Sequence, residues 1–183
     1  ANELRPDYAG FVFAGKKRRV SDDQAAALRK ALDPSIPAVG VFVDDSLKHI
    51  GQLVTAGTIQ IVQLHGCEDD AMIEAVQQTL KVRVIKAFSI ASEADVRQAR
   101  CSRADYILLD HGAGGTGDCF DWALLAHIDR PYFLAGGLNP DNAAQAAALQ
   151  PFALDVSSGI ETDGVKDKEK MKRFMAQVRA YRR

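Results

Sequence analysis

Three glycine-rich stretches, each closing an apolar run, carry the residues of this chain best suited to anion chemistry. Leu108-Leu109-Asp110 leads to Gly114-Gly115-Thr116-Gly117, Phe133-Leu134-Ala135 to Gly136-Gly137-Leu138, and Leu154-Asp155-Val156 to Ser157-Ser158-Gly159. Backbone without side chains lets N–H groups close on a phosphate, and a following helix N-terminus adds a favourable dipole. One such loop is an ordinary turn. Three in series point to a phosphate site at the mouth of a parallel barrel, with Gly136, Gly137, Ser157, Ser158 and Gly159 as its expected cradle. Asp155, just before the serines, is better placed to bond a substrate hydroxyl than the phosphate itself.

Loops of this kind are set by the elements that flank them. Short apolar runs rich in β-branched residues predict strands at 8–13, 38–43, 59–64, 82–88, 106–110, 132–135 and 152–156. They are apolar at nearly every position, as strands buried on both faces are. Helical stretches are expected at 22–32, 46–56, 68–80, 93–100, 121–127, 140–149 and 166–182, with starts at Ser21, Asp45-Ser46, Ser92 and Asn139-Pro140. This alternation means right-handed βαβ units and a parallel sheet. No linker, low-complexity segment or repeat divides the chain, so residues 1–183 read as a single domain. Seven βα units can be counted, not eight, and Ala1-Asn2-Glu3-Leu4 reads as the tail of a helix. A closed (β/α)8 barrel typically needs about 200 residues or more. The chain is then either an open doubly wound sheet, or a barrel whose first strand and most of its first helix lie outside the sequence.

Composition narrows the function classes. With 183 residues and 47% hydrophobic content there is enough apolar material for a real core. A net charge of −1 gives no reason to expect nucleic acid or an anionic membrane as partner. No apolar run approaches the ~20 residues of a membrane span, and no signal-peptide pattern opens the chain. Cys67, Cys101 and Cys119 are odd in number and fit no metal-ligand spacing, which reads as reduced thiols in a cytoplasmic protein. His49, His111 and His127 do not cluster, so no metal is expected.

Read in order, the motifs resemble phosphoribosylanthranilate isomerase. The likeness is carried by Gly10-Phe11-Val12-Phe13, Gly40-Val41-Phe42-Val43, Gln63-Leu64-His65-Gly66, Leu108-Leu109-Asp110, Gly114-Gly115-Thr116-Gly117 with Phe120-Asp121-Trp122, Gly136-Gly137-Leu138-Asn139-Pro140, and Asp155-Val156-Ser157-Ser158-Gly159. It runs from about residue 8 to the end. The resemblance implies a (β/α)8 barrel without a cofactor that converts N-(5′-phosphoribosyl)anthranilate, an Amadori rearrangement of tryptophan biosynthesis. Asp110 matches the family's general acid, which must protonate the furanose oxygen so that the ring opens to a Schiff base. Arg18 matches the arginine that can fork onto the anthranilate carboxylate, with Arg19 adjacent and the assignment open to a slip of one. His65 would line the pocket as a donor, and Phe120 would face the aromatic ring. The family's general base is a cysteine in a Lys-Ile-Cys-Gly stretch on its first strand, and that stretch is absent here. Two readings therefore stand at this point. One is an isomerase whose first strand lies outside the sequence; the other is a degenerate barrel that holds a phosphosugar without turning it over. In either, the partner is a small molecule, and uncovered strand edges at 8–13 and 152–156 would invite self-association.

Overall fold

Most of the expected apolar runs form strands with interiors shielded on both faces. The computed structural model describes residues 1–111 and 121–181. Among them, seven strands enter parallel pairing, in the alternation with helices that the sequence predicts. The residues group into two units, Ala1–Ala87 with Ser102–Tyr106, and Phe88–Cys101 with Ile107 onward.

In the first unit, β1 (Ala9–Val12), β2 (Ala38–Phe42), β3 (Ile61–Leu64) and β4 (Arg83–Ser89, as far as Ala87) pair in parallel. Phe11, Gly40, Val62 and Val84 stand in register across them. Helices α1 (Asp22–Ala31), α2 (Leu47–Thr55) and α3 (Asp70–Ala75) return the chain between strands. Ser21 starts α1 with a full capping box: its hydroxyl accepts from Gln24 N–H while the Gln24 side chain accepts from Ser21 N–H. Phe42, Ile50, Ile59, Leu64 and Ile73 are fully buried between the strands and these helices, and the Phe13 and Phe42 rings stack 5.0 Å apart.

His49 of α2 ties the starts of α1 and α2 together. Its Nδ1 lies 2.7 Å from Asp45 and its Nε2 3.1 Å from Asp22, while the ring stands edge-on to Phe13 and Phe42. Only the imidazolium donates from both nitrogens. Its hydrogen bond to Asp45, helped by the one to Asp22, raises its pKa above the ordinary 6.5 despite partial burial. A raised folded-state pKa gives stability that is whole below the unfolded value and lost as pH climbs through the folded one. Wild type should therefore out-melt His49→Gln most at about pH 5.5, with the gap closing above 6.5. Paired thermal melts across that range check it, and a pH-independent gap would remove the imidazolium from the account.

In the second unit, β5 (Tyr106–Asp110, from Ile107), β6 (Tyr132–Leu134) and β7 (Ala153–Leu154) are parallel, with Leu109 beside Leu134 and Leu134 beside Leu154. Around them lie α4 (Glu93–Cys101), α5 (Ala143–Ala148) and α6 (Lys168–Tyr181). Their core is Ile90, Ile107, Leu109, Leu134, Ala143 and Ala146, with Phe174 of α6 closing it. Residues 122–127 form a 3-10 turn rather than an α-helix, and Asp121 caps it by accepting from Ala123 N–H. The sequence does not predict the antiparallel hairpin of β8 (Glu161–Thr162) and β9 (Val165–Lys166), which turns on Asp163 and Gly164, both at positive φ. No helix among the described residues is long and apolar enough to cross a membrane.

Candidate active site

The second unit brings the expected acid and both expected phosphate turns together. Asp110 ends β5, and its Oδ1 accepts from the N–H of His111 at 2.7 Å. The chain after β6 passes so close that a Cβ on Gly136 would stand 2.6 Å from that oxygen and 2.5 Å from His111 N. Gly136 also has φ +85, so glycine is required there twice over. The turn after β7 packs in turn on the turn after β6, since a Cβ on Gly159 would collide with the carbonyl oxygen of Leu138. Parallel strands put these three segments at the same edge, beyond their C-terminal ends. This is where open or closed α/β sheets gather their ligands.

Each turn is held from behind. The carbonyl of Gly137 accepts from the side-chain amides of Asn139 (3.3 Å) and Asn142 (3.0 Å), which fixes the following peptide. Asn139 Oδ1 accepts from the N–H groups of Asp141 and Asn142, so Pro140 begins a separate turn and α5 starts only at Ala143. Ser157 and Ser158 are exposed, and Ser158–Ile160 forms a short 3-10 turn after β7. Lys166 of β9 donates to the carbonyl of Ser157 at 2.8 Å and to Glu161 at 2.9 Å. Asp167 accepts from Thr162 Oγ1 and from two N–H groups at the start of α6, which hold its carboxyl below the usual range. Glu161 and Lys166-Asp167 read from the sequence as residues that fix this loop; the hairpin that places them is not predicted, although Asp163-Gly164 was a readable signal for it. Asp155 is half-buried, and its N–H donates to Leu134 O, extending the β6–β7 pairing.

Two further expected residues belong to the first unit. Arg18 follows β1 and is half-buried, whereas Arg19 is exposed, which favours Arg18 for a built contact. His65 directly follows β3: its N–H donates to Phe42 O, and its Nδ1 lies 3.0 Å from Gln63 Nε2. Cys67 and Cys101 are both exposed thiols. Trp122 packs against the second core. Gly114-Gly115-Thr116-Gly117, Cys119 and Phe120 lie outside the described residues.

Comparison with known proteins gives the family and the fold. The family described as "N-(5'phosphoribosyl)anthranilate (PRA) isomerase" matches residues 1–177. An N-(5'-phosphoribosyl)anthranilate isomerase of Endomicrobium trichonymphae is 45% identical over 175 residues, covering 93% of this chain and 86% of the relative. The crystal structure of the phosphoribosylanthranilate isomerase of Thermotoga maritima superposes with a TM-score of 0.90 at 36% identity, covering 97% of this chain and 90% of that one. A further isomerase structure, at 35% identity, TM-score 0.86 and the same coverage, holds reduced 1-(o-carboxyphenylamino)-1-deoxyribulose 5-phosphate. Relatives can be dimeric, since another structure is of monomers generated from the dimeric Thermotoga maritima enzyme. The fold class is thus α/β and TIM-barrel-like, with seven parallel strands among the described residues. The expectation of a first strand outside the sequence gains no support from these matches. With a family match over residues 1–177 and relatives at this identity and coverage, the chain belongs to the N-(5'-phosphoribosyl)anthranilate isomerase family.

Proposed function

We propose that Asp110 is the general acid of this isomerase and that Gly136, Gly137, Ser157, Ser158 and Gly159 hold the substrate phosphate. The family's reaction is an aldose–ketose isomerisation in tryptophan biosynthesis. Asp110 gives its proton to the furanose oxygen, and the C1′–O bond breaks to leave a Schiff base. Loss of the C2′ proton then yields an enolamine, which becomes the ketone. Phosphate bound by backbone N–H groups and serine hydroxyls fixes the sugar, so the acid meets one oxygen in one orientation. Asp155 takes a sugar hydroxyl, Arg18 the anthranilate carboxylate, and His65 donates from its own strand end. The observation that carries the reading is the 2.6 Å approach of the Gly136 Cβ position to Asp110 Oδ1, which sets acid and anion turn side by side.

The same reading takes the chain as one barrel domain, working in the cytoplasm and able to self-associate through strand edges. It assigns no general base. Turnover of freshly made phosphoribosylanthranilate by the purified 183-residue chain is the deciding assay. Turnover supports the isomerase and shows that the family's cysteine is dispensable. Tight binding of a product analogue without turnover would favour the phosphosugar-binding barrel.

The phosphate turns have their own test. Ser158→Ala removes one hydrogen bond to a charged group, about 1.5–3 kcal/mol. KM should rise about tenfold or more with kcat little changed. Gly137→Val should act the same way and more strongly, because φ at Gly137 is +64 and a β-branched side chain also blocks backbone approach. Unchanged KM in both variants would move the phosphate elsewhere.

A further inference from the structure

Lys86 lies inside β4 and is one of three buried polar or charged residues in the described chain, with Thr58 and Gln63. Its Nζ donates to Gly66 O at 2.7 Å, to Leu64 O at 3.4 Å and to Glu68 Oε2 at 3.1 Å. Glu68, whose side chain is 4% exposed, accepts from Gly66 N–H on Oε2 and from Asp44 N–H on Oε1. Asp44 closes the circuit from the end of β2: it sits at φ +50, and its Oδ1 accepts from Cys67 N–H at 2.7 Å. Gly66 runs against Asp44 so tightly that a Cβ there would stand 2.5 Å from Asp44 Oδ1.

The residue at the centre of these bonds is His65. The carbonyl before it and both the N–H and carbonyl of Gly66 after it are held by one ammonium and one carboxylate. Its own N–H is held by Phe42 O, and buried Gln63 donates to its Nδ1, which leaves the proton on Nε2. A well-packed apolar pair fills such a space at no loss of stability. No apolar pair could fix three peptide groups at once. Burial would raise the Glu68 carboxyl, but the Asp44 N–H and the Lys86 ammonium outweigh it and hold it below the usual range.

We infer that the Lys86–Glu68 ion pair is the positioning pair for His65, setting its backbone and hence the direction in which its ring donates. Neither residue need touch substrate. The inference rests on His65 as a ligand for its effect on catalysis, but not for its effect on His65 itself.

The charge-neutral variant Lys86→Met/Glu68→Gln carries the test, because it leaves no unpaired buried charge; Glu68→Gln alone is the milder second variant. Two readouts are taken on folded protein. In the first, the 15N–1H pattern of the His65 ring should change from a fixed Nε2–H tautomer to an averaged one, with the His127 pattern unmoved. In the second, KM for phosphoribosylanthranilate should rise about tenfold with kcat within about threefold, the scale expected of a misplaced binding group. In a His65→Ala background the same variants should add nothing further. Unchanged His65 signals in both folded variants, or a kinetic loss that simply adds to that of His65→Ala, would overturn the inference. If His65→Ala is kinetically silent while the pair variants still shift the ring signals, the positioning role is upheld and the reading of His65 as a substrate ligand falls.

Discussion

Asp110→Asn should leave a protein that binds and does not turn over. The amide matches the carboxyl in size, so the backbone of Gly136 can still pass beside it and His111 N–H can still find an oxygen acceptor. What is lost is the proton delivered to the ring oxygen. General acid catalysis is worth about 10²–10⁴ in rate, and kcat should fall on that scale. Affinity for a reduced product analogue should stay within about tenfold, or ~1.4 kcal/mol, because the phosphate turns are untouched. The two measurements belong together. Wild-type turnover would strike Asp110 from the mechanism. A loss of affinity as large as the loss of rate would make it a structural residue that holds the Gly136 turn.

How much of this was readable in advance depended on whether the deciding contact is local. β5 is found at the expected residues, 106–110, because an apolar run ending on a carboxylate and followed by glycines has one reading in a parallel sheet. β7 is expected at 152–156 and spans only Ala153–Leu154. Phe152 N–H and Asp155 N–H still bond to Tyr132 O and Leu134 O, so the pairing direction was right and only the strand's extent was overstated. The helix expected at 68–80 begins at Asp70. Asp69 caps it by accepting from Met72 N–H, and Glu68 turns inward to Lys86 instead. Eighteen residues separate that pair in sequence, and no periodicity announces it. Within the proposed site, the acid and the glycine turns could be named from the sequence because they lie in runs of consecutive residues. The asparagine amides on Gly137 O are not written there, and Lys166 reads only as fixing its loop, since each contact depends on a turn geometry that appears only once the chain has folded.

Gly159→Ala should be the most damaging single methyl group that can be added to the second unit's phosphate turns. Its Cβ has nowhere to go: the atoms in its way are the carbonyl oxygen of Leu138 and, at 2.9 Å, the Cα of Asn139, all of them backbone. A flexible side chain could swing aside, but here one turn must be pushed off the other. Overpacking of this kind costs about 1–3 kcal/mol and sometimes more. For a chain of this size that corresponds to a fall in Tm of roughly 2–12 °C. Function should suffer in step, because the displaced segments are the two expected to hold the phosphate; KM should rise while the proton transfer at Asp110 proceeds once substrate is bound. Gly10→Ala is the matched control, since its Cβ would meet nothing nearer than Val41 Cγ2 at 4.0 Å. That variant should melt within about 1 °C or so of wild type, as surface changes away from special features do. If Gly159→Ala behaves like Gly10→Ala in both stability and KM, the two turns are not in contact, and a shared phosphate site built on that contact cannot stand.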